Sequence, residues 1–328
     1  MSFNPDQFVG LSVAEFEVYL ERVDQTNLAT EWASRVDWRE PRRFAGATFD
    51  DPTSIQSWRL FPKDIGQDLP ENHPPILIPN VDLIRYIGGG QFGWVYAGKV
   101  RSTGLVVAVK VLRNDPGCDT PRMAANEAIN GAKLNHRNIM RVFDLRPVGD
   151  YWIILMELVK GDRLSDASLG AVSLKPLLSA LSDAVRCMGA SKIIHRDLKP
   201  DNIVLRQTDG SPVIVDLGIS VDLEVFDPAS AVIAGTPLFM PPEAIDGVID
   251  IGFDPYSLGV TATMVVTGVA PRLPGSIHDL FGHKRSGRFR QEIVSILGGV
   301  DRSIAEWITA LVDNHGAQRL AALHAGIS

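Results

Sequence analysis

Cysteine is scarce. Cys118 and Cys187 stand far apart in a chain of 328 residues, which excludes a disulfide framework and a cysteine-type metal cluster. Both read as incidental thiols of a reducing compartment. Basic charge is also short: 32 Lys and Arg face 39 Asp and Glu, for a net charge of −7. A chain with that balance has no overall field to draw nucleic acid or an anionic membrane, and neither is expected as a partner. Met1 to Gly10 holds no basic residue ahead of an apolar run, so the opening does not read as a secretory leader. The most apolar stretch, Leu258 to Ala270, is shorter than the about 20 residues a membrane-crossing helix needs and reads as a buried core helix. Together these absences predict a cytoplasmic chain. No internal repeat or low-complexity tract is present. What is there is ordinary globular composition, 45% apolar and 22% charged, at a length that suits a two-lobed domain or a domain with an extension.

The texture changes near residue 80. Residues 1–80 read as an accessory segment with one helix, a Trp-rich part and a Pro-rich linker. Ser12 can cap the amide of Glu15 while Glu15 reaches back, and Leu11 and Phe16 stand where a hydrophobic staple would place them. Phe16, Tyr19, Leu20 and Val23 follow at helical spacing, an apolar stripe that needs a partner surface. Trp32, Trp38 and Trp58 come next, then Pro70, Pro74, Pro75 and Pro79, whose clustering marks an extended linker.

From Val81 the pattern predicts strands over Leu83–Ile87, Trp94–Val100 and Leu105–Leu112, the first two around a glycine turn. Thr120-Pro121 opens a helix, a capping hydroxyl followed by proline at the first helical position, that runs to about Leu134. Ile139–Asp144 and Tyr151–Leu158 read as further strands. After Gly161 the clearest elements are helices, over Leu174–Met188, Pro255–Thr267 and Ile304–Asp313, with short strands at Ile203–Leu205 and Val213–Val215. A strand-rich half followed by a helix-rich half predicts the α+β class with two lobes.

Gly88-Gly89-Gly90-Gln91-Phe92-Gly93-Trp94-Val95 fits G-x-G-x-x-G-x-V. Glycines in such a run let backbone amides approach phosphates where a Cβ would clash. The bland alternative is a glycine-rich hairpin turn. A dinucleotide-binding fold would need a helix directly after the glycines, and Trp94-Val95-Tyr96-Ala97 reads as a strand instead. Val107-Ala108-Val109-Lys110 follows on the next strand. A lysine ending an apolar strand is ordinarily a snorkelling surface residue. At this distance from a glycine loop, V-A-V-K resembles the lysine strand of protein kinases. His195-Arg196-Asp197-Leu198-Lys199-Pro200-Asp201-Asn202 is similar, without a break, to that family's catalytic loop, H-R-D-L-x-x-x-N.

The resemblance covers about residues 81–328 and implies a bilobal protein-kinase-like fold: a strand-rich N-lobe over 81–157, a helical C-lobe over 160–328, and ATP bound between them. It implies a residue for each part of phosphoryl transfer. Gly88, Gly90 and Gly93 would cover the phosphates. Lys110 would pair with Glu127 on the helix opened by Thr120. Val95, Ala108 and Val204 would sandwich adenine, Met156 would stand at the gatekeeper position, and the backbone of Glu157 and Val159 would bind the purine edge. Asp197 would orient the attacking hydroxyl and accept its proton, Lys199 would stabilise the γ-phosphoryl in flight, and Asn202 would hold a metal. Val215-Asp216-Leu217-Gly218 stands where the family has D-F-G, so that Asp216 would hold Mg2+, with Mn2+ as the alternative ion. Leu217 replaces the family's Phe, and Gly218 follows as in the family. Gly235 to Glu243 resembles the peptide-binding segment ending in A-P-E, with Pro241 in place of Ala. There Thr236 would bond near Asp197 and Lys199, and Glu243 would pair with Arg319. Asp254 would anchor the catalytic loop, including His195 and Arg196, from below. Lysine two residues after Asp197 is the Ser/Thr form of the motif, in the bacterial, eukaryotic-like (Hanks-type) manner. The expected reaction is transfer from Mg-ATP to Ser/Thr hydroxyls of proteins, the chain itself included. The rival class is a nucleotide-binding scaffold, which typically loses the lysine, the catalytic aspartate or the metal aspartate; all three are present here.

Two departures carry expectations of their own. Gly131, one turn beyond Glu127, stands where the family carries an apolar side chain stacked on the residue at Leu217; neighbouring side chains fill the space, or the N-terminal segment docks there and steadies the helix. Residues 1–80 are alternatively a module for a regulatory partner. Arg196 beside Asp197 resembles kinases whose activation loop is ordered by phosphate, with Ser230 the first choice of phosphosite. Asp222, Glu224 and Asp227 crowd the same loop, and one of them could pair with Arg196 in place of a phosphate.

Overall fold

The computed structural model describes residues 78–90, 93–113, 120–167, 174–227, 233–272 and 276–327. The expected N-terminal helix, the three tryptophans, most of the proline cluster, Gln91, Phe92, Cys118 and Ser230 lie outside them. The described chain divides into two compact units, one of residues up to Ala132 with Arg141–Leu158, the other of Lys133–Met140 with Val159 onward. The N-lobe expected over 81–157 differs from the first unit in the stretch 133–140.

The first unit is an antiparallel sheet in the order β1-β2-β3-β5-β4, from β1 (Val81–Gly90), β2 (Gly93–Val100), β3 (Val106–Arg113), β4 (Val142–Val148) and β5 (Tyr151–Glu157). Alternation along β3 and β5 sends Val107, Val109, Val111, Ile153 and Leu155 to one face, where they bury with Val81, Leu83 and Tyr96. Leu112, Trp152 and Ile154 take the other face and pack against Ala124, Ala125 and Ala128 of α1 (Thr120–Lys133). The small alanines let the helix lie close to the sheet. The strand expected over Ile139–Asp144 is displaced. Met140 N–H donates to Ile214 O and Ile214 N–H to Asn138 O, so that Ile139 forms an isolated bridge in the second unit, and β4 begins only at Val142.

The second unit is mainly helical: α2 (Leu174–Ala190), α3 (Phe253–Thr267), α4 (Ile277–Arg285), α5 (Arg288–Ile296), α6 (Arg302–Leu311) and α7 (Gly316–Ala325). A three-stranded sheet orders β6 (Gly161–Arg163), β8 (Ile203–Arg206) and β9 (Pro212–Ile214), and β7 (Ile193–Ile194) pairs with β10 (Val221–Asp222). One core joins Leu177, Leu178 and Leu181 of α2 to Leu258, Val260 and Ala262 of α3 and to Trp307, Ile308 and Leu311 of α6. α3 starts two residues before Pro255. A proline at the third helical position leaves no bond unmade, because the first four N–H groups of a helix have no intrahelical acceptor. No helix among the described residues is long and apolar enough to cross a membrane.

Gly259 lets α3 pack closely against the end of α6: a Cβ there would come within 2.8 Å of Val312 Cγ1 and 2.9 Å of Leu311 Cβ. Alanine improves helix propensity by about 1 kcal/mol, but overpacking costs about 2 kcal/mol. Gly259→Ala is therefore expected to lose about 1 kcal/mol and a few degrees of melting temperature; a rise in melting temperature would refute the tight contact.

Candidate active site

In the first unit, strand register collects the residues singled out in the sequence. Val95 lies opposite Lys110, Ala97 opposite Ala108, and Ala108 opposite Met156. Directly opposed residues share a face, so Val95, Ala108, Lys110 and Met156 all stand on the α1 side of the sheet. Lys110 Nζ donates to both carboxylate oxygens of Glu127 at 2.8 Å, and the two side chains are 8% and 2% exposed as residues. A buried lysine in a bidentate ion pair is held in one place rather than snorkelling. Gly131 is buried on the same helix.

The glycines at the β1–β2 turn have different reasons. Gly93 adopts φ +152°, and a Cβ there would lie 2.0 Å from Val111 O, so its own strands require glycine. At Gly88 a Cβ would meet nothing within 4 Å. Packing among the described residues does not explain that glycine.

In the second unit, a loop leaves β7 and carries His195 to Lys199. Arg196 takes a left-handed φ of 70°, a conformation that a residue with a Cβ adopts only when held there. Asp254, in the first turn of α3, holds it: Oδ2 accepts from His195 N–H at 2.7 Å and Oδ1 from Arg196 N–H at 3.0 Å. Burial pushes the Asp254 carboxyl up, while His195, the two amides and Arg196 pull it down. Burial likewise lowers the Arg196 guanidinium, opposed by Asp254. His195 Nε2 lies 3.2 Å from Val215 O, and its Nδ1 accepts from Asp197 N–H at 3.3 Å.

Asp197 sits at the centre of the loop's bonds. Its Oδ1 accepts from both the N–H (2.9 Å) and the hydroxyl (2.7 Å) of Thr236. Its Oδ2 accepts from Asn202 Nδ2 at 3.0 Å and lies 2.7 Å from Lys199 Nζ, which also donates to Thr236 Oγ1 at 2.7 Å. Asn202 uses its Nδ2 on Asp197 alone, on Oδ2 and on the backbone oxygen at 2.8 Å, which leaves the amide oxygen for a hard cation. Asp216 is exposed with a left-handed φ of 66°, and Leu217 after it is buried in the second unit's core. Gly218 donates its N–H to Asp216 Oδ1 at 3.2 Å. Val204 stands on β8 between the inward-facing Ile203 and Leu205, and Val159 is half-buried.

The chain matches the family model described as protein kinase domain over residues 81–322. The chain belongs to the protein kinase family. Serine/threonine-protein kinase Pkn1 of Myxococcus xanthus is 35% identical over 206 residues, 58% of this chain and 29% of that protein. Serine/threonine-protein kinase pkn2 of the same organism is 32% identical over 203 residues, 58% of this chain and 24% of the relative. Myosin light chain kinase 2 of Rattus norvegicus is also 32% identical, over 198 residues that cover 57% of this chain and 32% of the relative. The chain thus spans no more than about a third of the length of these relatives. Members of the family take ATP with a divalent metal ion and act on proteins.

Two residues of the kinase domain, Ser257 and Lys284, bond the segment after Thr236 without a clear signal in the sequence. Asp222, one of the three carboxylates of which one could pair with Arg196 in place of a phosphate, is bonded by Lys133 at 2.7 Å. Ser257 donates to Phe239 O at 2.9 Å, and Lys284 bonds the backbone of the same segment. Their spacing from Asp254 and from Phe281 on their own helices is the only hint that they point inward.

The segment ends in an ion pair between Glu243 and Arg319, whose guanidinium also lies 5.6 Å from the Tyr256 ring centre. Arg319 is 1% exposed, so its charge has no water to fall back on. Glu243→Ala is expected to cost about 3 kcal/mol, the low end for breaking a buried pair, because the Glu243 side chain is 23% exposed. Adding Arg319→Met should recover part of that loss. Denaturant midpoints measure both, and a loss under about 1 kcal/mol for the single variant would contradict this account.

Proposed function

We propose that the chain is a Ser/Thr protein kinase that moves the γ-phosphoryl group of ATP, taken as its Mg2+ complex, to Ser/Thr hydroxyls of proteins, itself included. The observation that carries the reading is the bonding around Asp197. Thr236, Lys199 and Asn202 hold that carboxylate from three sides, so that it is oriented before any substrate arrives. The acceptor hydroxyl donates its proton toward Asp197 as its oxygen forms the new bond to phosphorus, and the bond to the ADP oxygen breaks. Lys199 places positive charge beside the phosphoryl oxygens in flight. Lys110, steadied by Glu127, offers its ammonium to the phosphates of ATP, and the unexplained glycine at Gly88 supports a backbone open to the same phosphates. Asn202 through its amide oxygen and Asp216 through its carboxylate would hold Mg2+, a donor set of the kind that ion takes when phosphates complete its shell. Bound there, the ion would neutralise charge between the phosphates. Val95, Ala108 and Met156, on one face of the sheet, would meet the purine, with a backbone bond from Glu157.

The reading extends to a kinase domain over 81–328 behind an accessory segment of residues 1–80 that meets a regulatory partner, and to a cytoplasmic location. Two distant cysteines and the acidic balance support the location.

Transfer of labelled γ-phosphate from Mg-ATP to a generic protein and to the chain itself tests the proposal. Asp197→Asn is expected to lower transfer by at least about a hundredfold, and chelation of the metal to stop it. ATP binding without transfer in wild type would instead favour a nucleotide-binding scaffold.

A further inference from the structure

The last turn of α4 carries a lysine where its helix spacing calls for an apolar residue. Leu280, Phe281 and Lys284 are the buried positions of that helix, and Lys284 is 1% exposed. Its ammonium lies 4.9 Å from the ring centre of Phe289, 5.1 Å from that of Tyr256 and 5.4 Å from that of Phe281. A cation among ring faces is favoured by their quadrupoles. Its three N–H donors go to three carbonyls, Pro237 O and Leu238 O at 2.8 Å and Met240 O. Among the described residues no carboxylate forms an ion pair with it. Burial pulls the ammonium well below its ordinary value, opposed by the charge of Glu243.

A buried ammonium is costly, and a methionine would fill the same space without that cost. The carbonyls explain the lysine. Phe239 N–H donates to Thr236 O and Met240 N–H to Pro237 O, a tight turn. Lys284 takes the carbonyls of Pro237, Leu238 and Met240, and Ser257 takes that of Phe239. Four successive carbonyls are therefore held from within by α3 and α4. The residue just before them, Thr236, puts both its donors on Asp197.

We propose that Lys284 is the positioning residue of the peptide-binding segment: its ammonium fixes the backbone of Pro237–Met240, so that binding of the acceptor protein, and not of ATP, depends on it. This rests on the kinase reading above. Leucine or methionine could pack among the rings, but neither could hold three carbonyls at once.

The test compares the full chain with Lys284→Met and Lys284→Arg. Lys284→Met is expected to raise KM for an acceptor peptide about tenfold, the effect of leaving buried carbonyls unpaired, with KM for ATP within about twofold. Amide exchange should quicken over residues 236–243 and stay unchanged in α2 and α6. Lys284→Arg, which keeps a forked set of donors, should recover part of the loss. An unchanged peptide KM with unchanged exchange in Lys284→Met would overturn the proposal. So would a loss spread evenly over both substrates and the whole second unit. If wild type transfers no phosphoryl group, the kinase reading falls, and the exchange pattern alone still decides whether Lys284 holds the segment.

Discussion

A single buried carboxylate sets the geometry of the second unit. Asp254 is removed from water, which costs a charged group several kcal/mol unless donors replace the lost hydration. Two backbone N–H groups replace it, those of His195 and Arg196. The exchange is mutual: the carboxylate is satisfied only if the loop lies against α3, and the left-handed Arg196 is held only while the carboxylate is there. Asp197 follows directly, and its direction is inherited from that contact.

α3 is buried nearly all round, as a central helix is. Yet three polar side chains run along one of its stripes. Asp254 takes the loop amides, Ser257 takes Phe239 O, and Thr261 reaches Leu198 O at 3.4 Å. α3 thus touches the 195–198 loop and the segment after Thr236 through a few polar side chains. Packing alone would keep these loops near the helix; directional bonds fix which atoms face outward. Lys284 extends the same device from α4. The first unit uses another, in which period-two alternation along β3 puts Lys110 on the helix side and Val109 and Val111 on the opposite face.

Much of this was legible in the residues. The glycine turn, the apolar strand ending in Lys110 and the helix opened by Thr120-Pro121 each carry a local signal, because turns, alternation and caps are decided within a few residues. The unbroken run from His195 to Asn202 carried the resemblance to the kinase family. Less was legible where pairing is nonlocal. Ile139 looks like the start of β4, since its apolar neighbours read as a strand, and only the approach of β9 diverts its backbone to Ile214. The two-residue strands β7 and β10 have no period long enough to read. Lys284 stands in a His-Lys-Arg run that looks solvated, and nothing local says that three rings and three carbonyls surround its ammonium.

By itself the sequence determined membership of the protein kinase family and the order of its motifs, because glycine turns and the polar runs that mark them are named by residue type and spacing. It also determined the α+β class, because strand and helix periods differ. Only the tertiary structure decided which donors meet at Asp197, which glycine its own strands require, and which lysine is buried. Those outcomes depend on residues 18 to 47 positions apart being brought together, Gly93 with Val111, Thr236 with Asp197 and Lys284 with Pro237, and no local pattern encodes that approach.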